Sequence, residues 1–156
     1  MDLRTIPLIS RYFNVQEFKS FGSLIDPGNA AKFMCDTIIE YDVRIIEIAK
    51  TDPIVDVLTC NHVSKTLLIP LEDVSFYLPV GPAIDAMRSR PFPGTNEIKV
   101  FYSESKQGFI LEKDVWFADP IVSKTSKWLE ISRSTDIEKR NYANILKVNF
   151  KLEPPN

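Results

Sequence analysis

One histidine, His62, stands among the 156 residues of this chain, and that scarcity excludes a whole class of sites. Metal centres built on two or three imidazoles, the usual iron and zinc sites of small barrels, cannot be assembled within one copy. A carboxylate-rich metal site stays open but has no recognisable spacing, and neither metal ligands nor a cofactor is expected. Cysteine is scarce as well. With only Cys35 and Cys60, no disulfide framework and no secretory leader, the expectation is a reduced, cytoplasmic protein. There is no basic excess either: 19 Lys and Arg against 21 Asp and Glu leave a net charge of -2, which argues against nucleic acid as a partner. The apolar runs, such as Ile45-Ile46 and Thr66 to Leu71, fall far short of the roughly 20 residues that cross a bilayer, so no membrane partner is expected. No internal repeat, glycine-rich phosphate loop or Ser-His-Asp order is visible.

What remains is a chain of one-domain length, residues 1–156, long enough to bury a core without metal or disulfide support. After an extended start, Phe13-Asn14-Val15-Gln16-Glu17-Phe18 reads as the beginning of a short helix. Asn14 is the N-cap, Glu17 follows three residues on, and Phe13 is placed to staple onto Phe18. Gly22 is expected as a left-handed residue after the helix, with Asp26-Pro27-Gly28-Asn29 as a turn. From Phe33 to Ile48 the period becomes two. Phe33, Cys35, Thr37, Ile39, Tyr41, Val43 and Ile45 share one face, opposite Asp36, Glu40, Asp42 and Arg44.

Thr51-Asp52-Pro53 breaks that run, and strands are expected over Ile54 to Val63, Thr66 to Leu71 and Val74 to Val80. Cys60 and His62 share a parity, about 7 Å apart along a strand. That separation disfavours a cysteine nucleophile and its base, and His62 reads as an ordinary strand or loop residue. Pro79, Pro82, Pro91 and Pro93 make 79–94 a long loop with a short helical turn at Ala83 to Arg90, where Arg88 and Arg90 read as solvated. Ile98 to Tyr102 is a strand. In Gly108 to Val122, Phe109, Leu111, Val115 and Phe117 suit one strand face and Glu112, Asp114 and Trp116 the other. If the sheet curls into a barrel, a carboxylate on its inner face needs a partner or a ligand, which singles out Glu112, although a solvated charge on an exposed face is the commoner explanation for a polar residue in an alternating strand. Lys127 to Arg133 alternates again, Thr135 to Tyr142 suits a helical turn, and Asn144 to Leu152 supplies a last strand before a loose tail from Glu153. The pattern predicts an all-β (mainly β) fold: an antiparallel cupin-like barrel or jelly-roll-like sandwich with one short N-terminal helix.

Three segments resemble the ureidoglycolate lyase family of cupin-like β-barrels. Phe21-Gly22-Ser-Leu-Ile25-Asp26 is similar to that family's opening Phe-Gly-Asp-Val-Ile. Ser75-Phe-Tyr-Leu-Pro79 is similar to its Gln-Ala-Phe-Ile-Pro, and Gly108 through Val115-Trp116 to its glycine followed by Val-Trp. The resemblance spans roughly Phe18 to Ile131 and implies a lyase that cleaves ureidoglycolate, or a related small hydroxy acid, to glyoxylate and urea in allantoin degradation. It implies Glu112 as general base with Lys113 beside it, and Lys113 or Lys99 as carboxylate binder. Ser75 and Tyr77 are then hydrogen-bond donors, with Trp116 at the substrate. The implied partner is a small organic acid, and the implied assembly a homodimer through sheet edges. This chain departs from the pattern at Leu68-Ile69-Pro70-Leu71, where the family has Arg-His-Pro, at Ser75 for glutamine, and at Ile110, Glu112, Phe117 and Ala118, where the family usually carries an asparagine and several histidines. The alternative those departures allow is a non-catalytic cupin-like barrel that binds a small molecule or a protein partner.

Overall fold

The computed structural model describes residues 4–26, 40–62, 64–83, 93–132, 139–143 and 148–156, with 139–143 and 148 described by their backbone alone. It is mainly β. The chain opens with β1 (Arg4–Ile9) and β2 (Arg11–Tyr12), turns through α1 (Val15–Phe18), and continues into β3 (Gly22–Ile25), β4 (Asp42–Ile48), β5 (Ile54–Val55) and β6 (Val57–Asn61). Then come β7 (Thr66–Pro70), β8 (Phe76–Gly81), a 3₁₀ turn at Thr95–Glu97, β9 (Lys99–Ser103), β10 (Gly108–Leu111), β11 (Trp116–Phe117) and β12 (Ile121–Val122). The last strands are β13 (Ser126–Ser132), β14 (Lys139–Ala143) and β15 (Val148–Glu153).

The helix forms for the reason the sequence gives. The Asn14 side chain accepts hydrogen bonds from the backbone N–H groups of Gln16 at 2.9 Å and Glu17 at 3.3 Å, satisfying two of the four donors a helix leaves open at its start. The staple is present too, with the Phe13 and Phe18 rings edge to face and their centroids 5.5 Å apart. Phe18 is fully buried, so this single turn anchors the N-terminal segment to the core. Gly22 differs from expectation. It belongs to β3 and pairs with Leu111, and there a Cβ would fall onto the backbone carbonyl oxygen of Ile110. Close approach between strands, not a left-handed conformation, is what requires glycine at this position.

Three open sheets stack in layers, and none closes into a barrel among the described residues. Five strands run in the order β3-β10-β7-β13-β4, all antiparallel. The central sheet runs β14-β6-β11-β8-β9-β2, with β12 also on β8. A smaller sheet, β1-β15-β5, completes the set. Two pairings are parallel, β1 with β15 and β2 with β9. The antiparallel pattern therefore holds through the body of the fold and gives way where the N-terminal segment joins.

Alternation decides which core each residue enters. Phe76, Leu78 and Val80 of β8, Phe101 of β9 and Phe117 of β11 point toward the five-stranded sheet, where Leu68, Phe109, Leu111 and Trp128 meet them. Their sequence neighbours Tyr77, Val100 and Trp116 point the other way, against Phe150 and Leu152 of β15 and Ile6 and Leu8 of β1. Phe109, Leu111, Val115 and Phe117 thus share one core and Trp116 enters the other, as the period of two predicts. Aromatic packing dominates the first core: Trp128 lies edge to face on Phe76 at 5.0 Å, and Phe18 on Phe101 at 5.1 Å. Such pairs add about 0.5–1.5 kcal/mol beyond the area they bury.

Other expectations are corrected. β4 is a strand, but Val43 and Ile45 are exposed while Ile46 and Ile48 pack on the core, because β13 sets Trp128 opposite Ile46. Pro79 lies inside β8, as the strand expected over Val74 to Val80 has it, and the strand runs on to Gly81, past the expected start of the loop. It sits opposite the break between β11 and β12, so its missing N–H costs no ladder bond, and its carbonyl still accepts from the N–H of Ala118 at 3.1 Å. Residues 139–143 form β14, antiparallel to β6, in place of a helical turn, since an open strand edge at β6 offers backbone partners that a lone turn lacks. Glu153 belongs to β15, where its carbonyl accepts from both the N–H and the hydroxyl of Ser10. The helical turn expected at 83–90, Arg88 and Arg90 included, and the alternation over 33–39 lie outside the described residues, apart from Ala83.

Candidate functional site

The end of β4, the first turn of β8 and the link between β11 and β12 enclose a groove. One hollow there, of about 260 Å³, is lined by Lys50, Ser75, Tyr77, Tyr102 and Ser123, just below the range of roughly 300–1,000 Å³ for small-molecule sites. Thr51 and Ile121 also line a second hollow of about 300 Å³, where Glu47 and Asp119 bring carboxylates alongside. Local bonds hold the walls in place. The Ser123 N–H donates to the Ser75 carbonyl at 2.9 Å, and the Lys50 N–H to Thr125 Oγ1 at 3.0 Å. The phenol rings of Tyr77 and Tyr102 lie 5.0 Å apart. Burial raises the pKa of the Tyr77 hydroxyl, with Tyr102 and Glu153 adding to the effect, so the group is held as a donor.

Of the residues expected at a site, Ser75 and Tyr77 meet in this groove, and the others lie elsewhere. Glu112 Oε1 is 3.2 Å from Lys65 Nζ in a partly exposed ion pair, and Lys113 is exposed in the turn after β10. The Lys99 ammonium sits 6.0 Å from the centroid of the Phe21 ring. Trp116 is buried in the second core, opposite Cys60. None of these four lines either part of the groove. Sequence reading passed over Lys50, Glu47 and Asp119. Asp119 falls inside the stretch that drew attention, but Asp119-Pro120 reads as a strand break, and nothing local ties it to Ser75. Glu130 was passed over too. It is the one buried carboxylate among the described residues, 7% exposed on the inward face of β13.

A second constellation forms where β6 ends. Asn61 closes the strand, and its carbonyl accepts from the N–H of Asp114 at 2.9 Å. Asp114 has φ 70, the single positive value outside glycine among the described residues, and Asp is one of the few residues that tolerate it. This turn sets Asp114 Oδ1 2.8 Å from His62 Nδ1. Cys60 Sγ lies 3.7 Å from the same nitrogen. Cys60 and His62 therefore do meet, against the separation read from strand spacing, because His62 lies past the end of the strand and is free of its pleat. The meeting is not that of a nucleophile and its base. Burial, reinforced by the charge of Asp114, pushes the Cys60 thiol up to about 12, and the thiol and carboxylate crowd one ring nitrogen instead of relaying through two.

The fold defines a mainly β layered sandwich with two adjoining surface hollows, one lined by a cation and hydroxyls and the other by two acidic residues. No family model and no curated protein matches this chain.

Proposed function

We propose that this chain is a ureidoglycolate lyase-like protein that takes a small hydroxy acid into the groove beside Ser75 and Tyr77 and cleaves it to glyoxylate and urea. The observation that carries this reading is the content of the two hollows: Lys50 for a carboxylate with Tyr77, Tyr102, Ser75 and Ser123 as hydroxyl donors in one, and Asp119 in the other, which shares the Thr51 and Ile121 walls. In this scheme Asp119, in place of Glu112, takes the proton of the substrate hydroxyl. The oxygen's electron pair forms the carbonyl of glyoxylate, the carbon–nitrogen bond breaks, and its pair passes to the urea nitrogen. That nitrogen takes the proton that Asp119 removed from the hydroxyl, which returns the carboxylate to its starting state, and Tyr77 contributes a hydrogen bond to the substrate. Incubation of the full chain with ureidoglycolate, with glyoxylate measured above the uncatalysed rate, tests the reading. Asp119→Asn is expected to lower the rate by at least about 100-fold, the ordinary contribution of a general base. Glyoxylate release no faster than background, or unchanged in Asp119→Asn, would overturn it.

A second reading, a binder without chemistry, is favoured by one observation. Leu68, in the segment where the related family carries Arg-His-Pro, is buried in the core at 2% exposure. In that case small acids raise the melting temperature by mass action while no glyoxylate forms. We also propose a homodimer, with Val43 and Ile45, 66% and 69% exposed on β4, an edge strand among the described residues, as the patch that a second copy covers. Sedimentation of wild type against Val43→Lys checks it: the dimer should be lost in the variant.

A further inference from the structure

We infer that Cys60, His62 and Asp114 form a site for one divalent transition metal ion of the zinc type, at the junction of β6 and the turn between β10 and β11. The inference stands apart from the groove, because none of the three residues lines it. One ligand atom from each residue lies within 4.8 Å of the others. Around a tetrahedral zinc with ordinary bond lengths, nitrogen, oxygen and sulfur ligands stand about 3.4–3.6 Å apart. The observed 3.7 Å from Cys60 Sγ to His62 Nδ1 already matches, and the 2.8 Å from His62 Nδ1 to Asp114 Oδ1 needs to open by about 0.6 Å. Both of those side chains are partly exposed, at 39% and 41%, so they can move that far without disturbing a core.

The chemistry of the three donors is selective. Thiolate and imidazole together favour zinc over magnesium or calcium, and the carboxylate completes a three-ligand set with a fourth position facing solvent. Asp114 is held at this spot by the unusual backbone conformation and by its bond to the Asn61 carbonyl, so the set does not depend on a mobile loop end. A single imidazole suffices here, which is why the exclusion drawn from histidine scarcity does not apply. Binding forms the metal–sulfur bond and releases the thiol proton to solvent, since the metal charge outweighs the burial that keeps Cys60 protonated.

The test uses tag-free full-length chain, stripped with a chelator and titrated with zinc, and in parallel with cobalt(II). The expected result is one equivalent of zinc bound, a thiolate-to-cobalt charge-transfer band in the near ultraviolet with tetrahedral cobalt bands in the visible, and a rise in melting temperature on loading. His62→Gln and Asp114→Asn each should weaken zinc by roughly 100-fold or more, beyond the effect of losing a supporting contact. Cys60→Ser should abolish the charge-transfer band, and Cys35→Ser should change nothing. His62→Gln and Asp114→Asn alter exposed side chains, so they keep the test decisive even if Cys60→Ser fails to fold. Absence of stoichiometric zinc binding, or binding that survives both of those variants, overturns the site.

Discussion

The backbone N–H of Asp114 donates to the carbonyl of Asn61 over 2.9 Å while Asp114 itself holds φ 70. The turn's geometry and its side-chain chemistry can be separated by choosing substitutions that differ in their tolerance of that angle. Asp114→Ala should destabilise the chain by about 1–2 kcal/mol, the cost of the left-handed region for a residue with a Cβ and no local hydrogen bond. Asp114→Gly and Asp114→Asn should lose much less, because the exposed pairing with His62 contributes little on its own. Urea unfolding midpoints of the three variants provide the comparison. Equal losses in all three would show that strain at this turn is not the determinant.

Gly22 is the most demanding glycine among the described residues. Because a Cβ there meets the Ile110 carbonyl oxygen, which is backbone and cannot swing aside, Gly22→Ala should cost at least about 3 kcal/mol, the upper end of overpacking. Gly108→Ala meets only side-chain atoms of Ile69 and Ile25, at 3.1 Å and 3.2 Å, and should be far milder. Thermal melts of the two variants side by side are sufficient.

Cys60 couples stability to alkaline pH. Its thiol pKa rises from 9.0 to about 12 on folding, so the folded state holds a proton that the unfolded state releases. The contribution is fully present below pH 9.0 and is lost as pH climbs from 9.0 toward about 12, at up to about 1.4 kcal/mol per pH unit. In the presence of a chelator, the slope of unfolding free energy between pH 9 and pH 11 should be about that much flatter in Cys60→Ala than in wild type. Parallel slopes would mean that the thiol titrates alike in both states.

The groove makes a separate prediction. Tyr77→Phe removes a donor but leaves the ring against Tyr102, so the fold should keep its melting temperature. Its melting-temperature rise with glyoxylate should shrink, and Lys50→Met should abolish it, since Lys50 is the one cation lining the cavity among the described residues. A full shift retained in Lys50→Met would place acid binding elsewhere.

The sequence by itself determined whatever depends on neighbours along the chain. Asn14 and Phe13 specify the helix turn within five residues, and the alternation of Phe109, Leu111, Val115 and Phe117 against Trp116 sorts these side chains between two cores. The mainly β class follows from the same local signal, since a period of two needs no knowledge of the partner strand. Tertiary structure decided the rest. Both faces of β4 carry large apolar residues, so only its register on β13, with Trp128 opposite Ile46, settles that Val43 and Ile45 face outward. His62 and Asp114 lie 52 positions apart, and Lys50, Ser75, Tyr102 and Ser123 come from four separate segments. Long-range strand pairing brings them together, and no spacing within a single segment records which distant turn will stand beside it.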